Sequence, residues 1–98
     1  MNVCTFVGKI RAVTPREYTN NDHCYVDVDV PEYYTNSKGE RKVEWTDLVC
    51  YVYSTAADYI EKNAEAGDDI AFRATYKWDN SLAHCHYFRI NEFKLLKD

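Results

Sequence analysis

Only one stretch of this sequence, residues 55–66, carries the period of a helix; the other apolar segments alternate with a period of two. The alternation is clearest over 23–34, where Cys24, Val26, Val28 and Val30 are interleaved with Tyr25, Asp27 and Asp29. Side chains two apart share a face of a strand, so this segment buries one face and wets the other. Pro31 lacks an N–H, and it either ends the central pairing of that strand or leaves it at a sheet edge. Residues 3–13 are β-branched and aromatic with Gly8 among them, which marks a bend or bulge. Thr14-Pro15-Arg16 closes that run, and residues 19–22 read as a turn. Residues 35–40 form a polar hairpin loop in which Gly39 can take a left-handed position. The longest strand signal, 41–54, puts Trp45, Asp47, Val49, Tyr51 and Tyr53 on one face and Leu48, Cys50 and Val52 on the other, the core face. In the helix, Ser54 or Thr55 can cap, Asp58 stands where a capping box needs it, and Gly67 stops it. Its apolar stripe is Ala56, Tyr59, Ile60 and Ala64. Strands at 69–78 and 84–96, joined by a turn at Asp79-Asn80-Ser81, complete the chain.

The order β-β-β-α-β-β predicts an all-β fold with one helix: a five-stranded antiparallel OB-fold barrel, helix between strands 3 and 4. Other small α+β sheets share that string of elements. Ninety-eight residues predict a single domain, 1–98. The formal net charge of −4 argues against a non-specific wrapper of duplex DNA but leaves room for a local basic strip. No apolar run reaches the ~18 residues of a membrane span, and the start lacks a signal peptide, so no membrane partner and a cytoplasmic location are expected. Cys4, Cys24, Cys50 and Cys85 form no C-x-x-C pair and read as reduced, buried small hydrophobes. No P-loop, Ser/His/Asp set or paired carboxylates stand out, so neither catalysis nor a cofactor is expected. His84, Cys85 and His86 with His23-Cys24 could furnish zinc ligands, but alternation turns each cysteine away from its neighbouring histidine, and no metal is expected.

Nine Tyr, four Phe and two Trp, 15% of the chain, are more rings than so small a core can hold, so some must face water. Trp45, Tyr51 and Tyr53 share the non-core side of the third strand; Tyr33 and Tyr34 lie at the lip of the preceding hairpin. Tyr76 and Trp78 end the fourth strand, with Trp78 at its tip the better candidate. Lys38, Arg41 and Lys42 surround the hairpin, and Arg73 and Lys77 are near Trp78. Exposed rings interleaved with cations suit unpaired bases and the phosphates between them. Asp27, Asp29 and Asp47 on the same surface repel phosphate and predict modest affinity. Rings packed in the core or at a subunit interface are the competing explanation.

Several segments resemble the bacterial and phage single-stranded DNA-binding protein family. Glu44-Trp45-Thr46-Asp47 runs into Val49-Cys50-Tyr51, then come Ala57-Asp58-Tyr59 and Ala66-Gly67-Asp68. Met1-Asn2 with Val7-Gly8-Lys9-Ile10, and Tyr76-Lys77-Trp78-Asp79, resemble that family's opening and its Arg-x-Trp hairpin. The resemblance implies single-stranded DNA stacked on Tyr34, Trp45, Tyr51 or Tyr53, and Trp78, bound without catalysis and with little sequence preference. It implies an accessory of replication or recombination, with a helicase, primase or polymerase as a candidate partner, and a homo-oligomer of unstated number built through sheet edges. The chain stops at Leu95-Leu96-Lys97-Asp98 without the family's flexible C-terminal tail, which suits a phage, plasmid or other mobile genetic element. A protein-interaction module of a replication complex and an RNA binder are the alternatives on the same fold.

Overall fold

The computed structural model describes residues 3–19, 22–80 and 86–97. Five strands and one helix follow in order: β1 (Val3–Thr14), a 3₁₀ turn (Arg16–Tyr18), β2 (His23–Thr35), β3 (Arg41–Tyr53), α1 (Ser54–Asn63), β4 (Asp69–Trp78) and β5 (His86–Leu95). The strands close into a ring in the order β1-β2-β3-β5-β4. This is the expected OB-type arrangement, with the helix between the third and fourth strands. Neighbours pair antiparallel except β3 and β5, which meet in parallel at Cys50↔Phe88 and Tyr51↔Arg89. His84 and Cys85, and with them the start of the strand read over 84–96, lie outside the described residues.

β1 serves two partners. Residues Val3 to Lys9 pair with β4 and residues Lys9 to Thr14 with β2, with a bulge between Ile10 and Ala12. The changeover needs a close approach at Gly8, where a Cβ would stand 2.6 Å from the Asp29 carbonyl oxygen and 2.8 Å from Val28 Cγ1. Glycine is required there by space.

The alternating residues Cys24, Val26 and Val28 point inward with Ile10, Cys50, Val52, Ile70, Phe72, Ala74 and Ile90 to make the core. Burying each large aliphatic or aromatic side chain contributes about 1.5–3 kcal/mol. Phe6 stacks obliquely on Phe72 (5.4 Å) and edge-on against Phe88 (5.3 Å). Cys24 and Cys50 are buried as expected, and burial pushes their thiols up to about 11 and about 12. Cys4 departs from expectation: it shares the inward parity of Phe6, Gly8 and Ile10, yet at the start of β1 it is exposed.

The helix closes one end of the ring with Ala57 and Ile60 fully buried and Ala56 and Ala64 packed on the same cluster. Tyr59, expected in that stripe, is 53% exposed and leans toward Phe93. The helix begins at Ser54, so the N-cap position falls on Tyr53, which makes no side-chain cap; Ser54 and Thr55 lie inside the helix, and Asp58 pairs with Arg16. The chain passes directly from β3 into α1 through Ser54, a non-glycine residue held at φ 54°. The helix ends at Asn63, earlier than the residue 66 expected. Gly67 (φ 97°) makes the following turn and donates its N–H to the Ile10 carbonyl at 2.8 Å, binding the turn to β1.

Beyond Asp29, β2 has lost its β1 neighbour and pairs with β3 alone, from Val30↔Thr46 to Thr35↔Arg41. Pro31 falls in this two-stranded arm, where its missing N–H faces the open edge. The turn at the end is held by the Asn36 side chain, whose Oδ1 accepts from the N–H groups of Lys38 (2.9 Å) and Glu40 (3.0 Å). Gly39 takes the left-handed position there, at φ 79°.

Candidate nucleic-acid interface

In an antiparallel pair, residues opposite one another share a face. Pro31↔Trp45 and Tyr33↔Val43 therefore form one side of the arm, and Glu32↔Glu44 and Tyr34↔Lys42 the other. Trp45 (52% exposed) and Tyr33 (68%) overhang a shallow groove of about 290 Å³ floored by Val7, Gly8, Lys9 and Leu96. Tyr34 is exposed beside Lys42, but on the reverse side from Trp45. Parity thus sets the two expected stacking rings, Tyr34 and Trp45, on opposite sides of the arm, and Tyr33 is the ring that accompanies Trp45. Lys38, Arg41 and Lys42 are all exposed around the arm's end, with Lys42 Nζ 3.9 Å from Glu40.

Tyr51 also requires correction. It lies on the outer side of the sheet as alternation requires, yet it is fully buried. The ring is sandwiched between His23 (centroids 4.3 Å apart, planes at 9°) and Tyr87 (4.2 Å, 19°), with Tyr25 tilted against it at 4.8 Å. Both faces are occupied, so no base can stack on Tyr51 in this arrangement. β5 brings Tyr87 onto this cluster, and nothing in the sequence of β3 announces that cover. Tyr53 remains half-buried at the rim, with the Arg89 guanidinium 5.2 Å above its ring. Burial, together with the neighbouring Tyr87 hydroxyl, pushes the Tyr53 phenol up to about 12. It stays a neutral ring under a cation, and Arg89 is a contact that the spacing of basic residues did not reveal.

Between the arm and this tyrosine cluster lies a charged patch. Asp29 and Asp47 face each other across the β2–β3 pairing, an unfavourable juxtaposition of like charges. Arg11 resolves it by donating from Nε and Nη2 to Asp29 and from Nη1 to Asp47 at 3.2 Å. These carboxylates raise the affinity of the guanidinium for its proton, Asp29 chiefly through its hydrogen bonds. The patch stays negative on balance, because two carboxylates share one guanidinium.

At the other hairpin, Tyr76, Trp78, His86 and Phe88 share a face, since Tyr76 opposes Phe88 and Trp78 opposes His86. Trp78 is 65% exposed and lies parallel to His86 (5.7 Å, 4°). His86 is in turn parallel to Tyr76 (5.8 Å, 12°), whose hydroxyl is hydrogen-bonded to its Nδ1. Three rings thus form one platform where the sequence suggested a single indole. Lys77 is exposed on the reverse of that hairpin. Arg73 does not attend Trp78: it lies on the outer side of β4 and is tied to Glu92 at 3.0 Å. Of the histidines weighed as metal ligands, His23 is buried against Tyr51 and His86 belongs to the platform.

No protein-family model matches the sequence, and no curated protein sequence matches it. Solved structures do match the fold. A small single-stranded DNA-binding protein from Streptomyces coelicolor superposes with a TM-score of 0.72 at 10% identity, over 95% of this chain and 90% of that one. The Plasmodium falciparum SSB in complex with single-stranded DNA gives 0.74 at 14% identity, over 99% and 96%. The protein PriB from Ralstonia solanacearum gives 0.66 at 9% identity, over 99% of both chains. The chain is similar to these proteins along nearly its whole length, and what it shares with them is the single-helix OB-type barrel.

Proposed function

We propose that this protein binds single-stranded DNA without catalysis and with little sequence preference, as an accessory of DNA replication or recombination. The observation that carries the reading is the placement of both tryptophans. Each is more than half exposed, and each projects from a hairpin at the edge of an OB-type barrel. An indole left in water gains nothing for the fold, whereas a base stacked on it contributes about 1–3 kcal/mol. Trp45 with Tyr33 and Trp78 with its neighbouring rings supply two platforms; Tyr53 under Arg89 is a further ring, and Tyr34 beside Lys42 is one on the reverse side of the arm. Lys38, Arg41, Lys42 and Lys77 are the cations available to phosphate. The acidic patch around Asp29 and Asp47 limits the electrostatic contribution, so stacking carries more of the affinity than counterion release does. Structural neighbours whose own function is single-stranded DNA binding support this reading, and an oligomer built through sheet edges is compatible with it.

A second reading, docking of a basic protein partner, draws on the Asp29–Asp47 patch and the net charge of −4. Titration with oligo-dT at two salt concentrations separates the two. Stacking quenches tryptophan fluorescence, and affinity falls as salt rises by about 0.7 log units per log unit of salt for each phosphate contact. Trp45→Ala and Trp78→Ala should each weaken binding by about 1–3 kcal/mol with the fold retained. Absence of quenching at low salt would favour the protein-docking reading; competition with oligo-U separates DNA from RNA.

A further inference from the structure

We propose that His86 is a nucleic-acid contact in its own right: a second ring of the Trp78 platform that becomes a phosphate-binding cation when protonated. The inference rests on the single-stranded DNA reading and assigns a residue and a pH dependence to that same site.

Trp78 and His86 are cross-strand partners whose planes differ by only 4°, and Tyr76 continues the parallel row on the other side of the imidazole. A base brought onto Trp78 would have the imidazole as a neighbour, within reach of a phosphate of the same strand.

The hydrogen bond between the Tyr76 hydroxyl and His86 Nδ1 fixes which nitrogen remains for the ligand: Nε2. A hydroxyl is both donor and acceptor. When the imidazole is neutral, Tyr76 O–H donates to Nδ1 and the ring proton sits on Nε2, a donor for a phosphate or a base carbonyl. When a proton is taken up, Nδ1–H donates to the Tyr76 oxygen and Nε2–H is unchanged. Both states keep the same ring positions, so the platform acquires a full positive charge without rearranging.

The surroundings permit that charge to reach the ligand. His86 is exposed, and Tyr76, Trp78 and Phe88 on its face bring no formal charge. Lys77 and Tyr87 belong to the opposite parity of the hairpin, and Asp79 follows Trp78 at its tip. Histidine is the side chain whose charge ordinarily changes between pH 5 and 8. A phosphate that prefers the protonated form must, by linkage, draw a proton onto the ring as it binds.

The test is oligo-dT affinity between pH 5.5 and 8.0 at fixed ionic strength, for the full chain and for His86→Phe, which keeps a ring and loses the proton. The wild type should bind about 3–10-fold tighter at pH 5.5 than at 8.0, with a salt slope steeper by about 0.7 at the lower pH, as one added phosphate contact requires. His86→Phe should bring that affinity ratio below about two. The NMR signal of the His86 ring, assigned by its absence in the variant, should titrate at a higher pH with oligo-dT bound than without. A pH dependence that persists in His86→Phe, or a ring titration unmoved by oligo-dT, overturns the assignment while leaving single-stranded DNA binding intact. Failure of the wild type to bind oligo-dT at any pH removes the underlying reading and the assignment with it.

Discussion

Replacing Tyr51 by alanine separates packing from binding at the place where sequence and structure diverge most. The ring is fully buried, with His23 and Tyr87 stacked on its two faces at 4.3 and 4.2 Å and Tyr25 against its side. Truncating a buried aromatic costs about 3–5 kcal/mol, from lost transfer energy and the cavity left behind. Within that sum, each stacked neighbour accounts for about 0.5–1.5 kcal/mol. In a domain of this size 1 kcal/mol moves the melting temperature by about 4–8 °C, so the variant should melt at least about 12 °C lower. Urea unfolding at 25 °C should show the same loss through a lower midpoint and an unchanged slope. Tyr53→Ala is the internal control: it removes a half-buried ring, lowers stability by about 1–2 kcal/mol and weakens oligo-dT binding by about 1–3 kcal/mol. Titrations of Tyr51→Ala are made where it is folded, and there they should show a smaller loss of affinity than those of Tyr53→Ala. The reasoning is refuted if Tyr51→Ala melts within about 4 °C of wild type yet no longer binds, because the ring would then be a platform that opens to its ligand.

Gly8→Ala places a methyl group 2.6 Å from a backbone oxygen that cannot move without shifting β2, and it should destabilise by about 1–3 kcal/mol in urea unfolding; an unchanged midpoint would mean that β1 and β2 separate without cost. Asp47→Asn removes one carboxylate from the Arg11 patch and should tighten oligo-dT binding at low salt by about 2–5-fold; weaker binding would show that Asp47 itself holds the ligand. Glu61 is held below the usual carboxylate range, first by the hydrogen bonds from the Arg16 side chain and then by that from the Arg16 N–H. A lowered folded value means stability that is present above the ordinary glutamate value near ~4.3 and is lost as pH falls through the folded one. Glu61→Gln should therefore be less stable at pH 7 and lose less on acidification, as thermal melts from pH 7 to 3 would show; parallel curves would remove the Arg16–Glu61 contribution.

The strands and their faces were readable because alternation is a local property, and Cys24, Val26 and Val28 could only point one way. The Gly8 signal was readable for the same reason, though its cause, the close passage of β2, is not local. What escaped reading depends on partners far away in sequence. Tyr51 has the parity of an exposed residue and is buried only because β5 delivers Tyr87 beside it. Arg73 and Trp78 are near in sequence but face opposite ways, and a glutamate on β5 occupies the arginine. Tyr34 was selected by resemblance, whereas the β2–β3 register sets Tyr33 beside Trp45. His86 shows in the sequence only as a possible metal ligand, because its alignment with Trp78 and Tyr76 arises from the pairing of β4 with β5.

The parallel seam between β3 and β5 rests on Cys50↔Phe88 and Tyr51↔Arg89, while β4 is laced to β1 from Val3↔Thr75 to Lys9↔Asp69. The two tryptophans therefore stand on strands to either side of the shortest register in the wall, where the Tyr51–Tyr87 stack adds to the main-chain pairing. Local opening follows the least-tied boundary of a fold. A strand laid across both indoles would therefore load this seam before it loads the longer β1–β4 pairing.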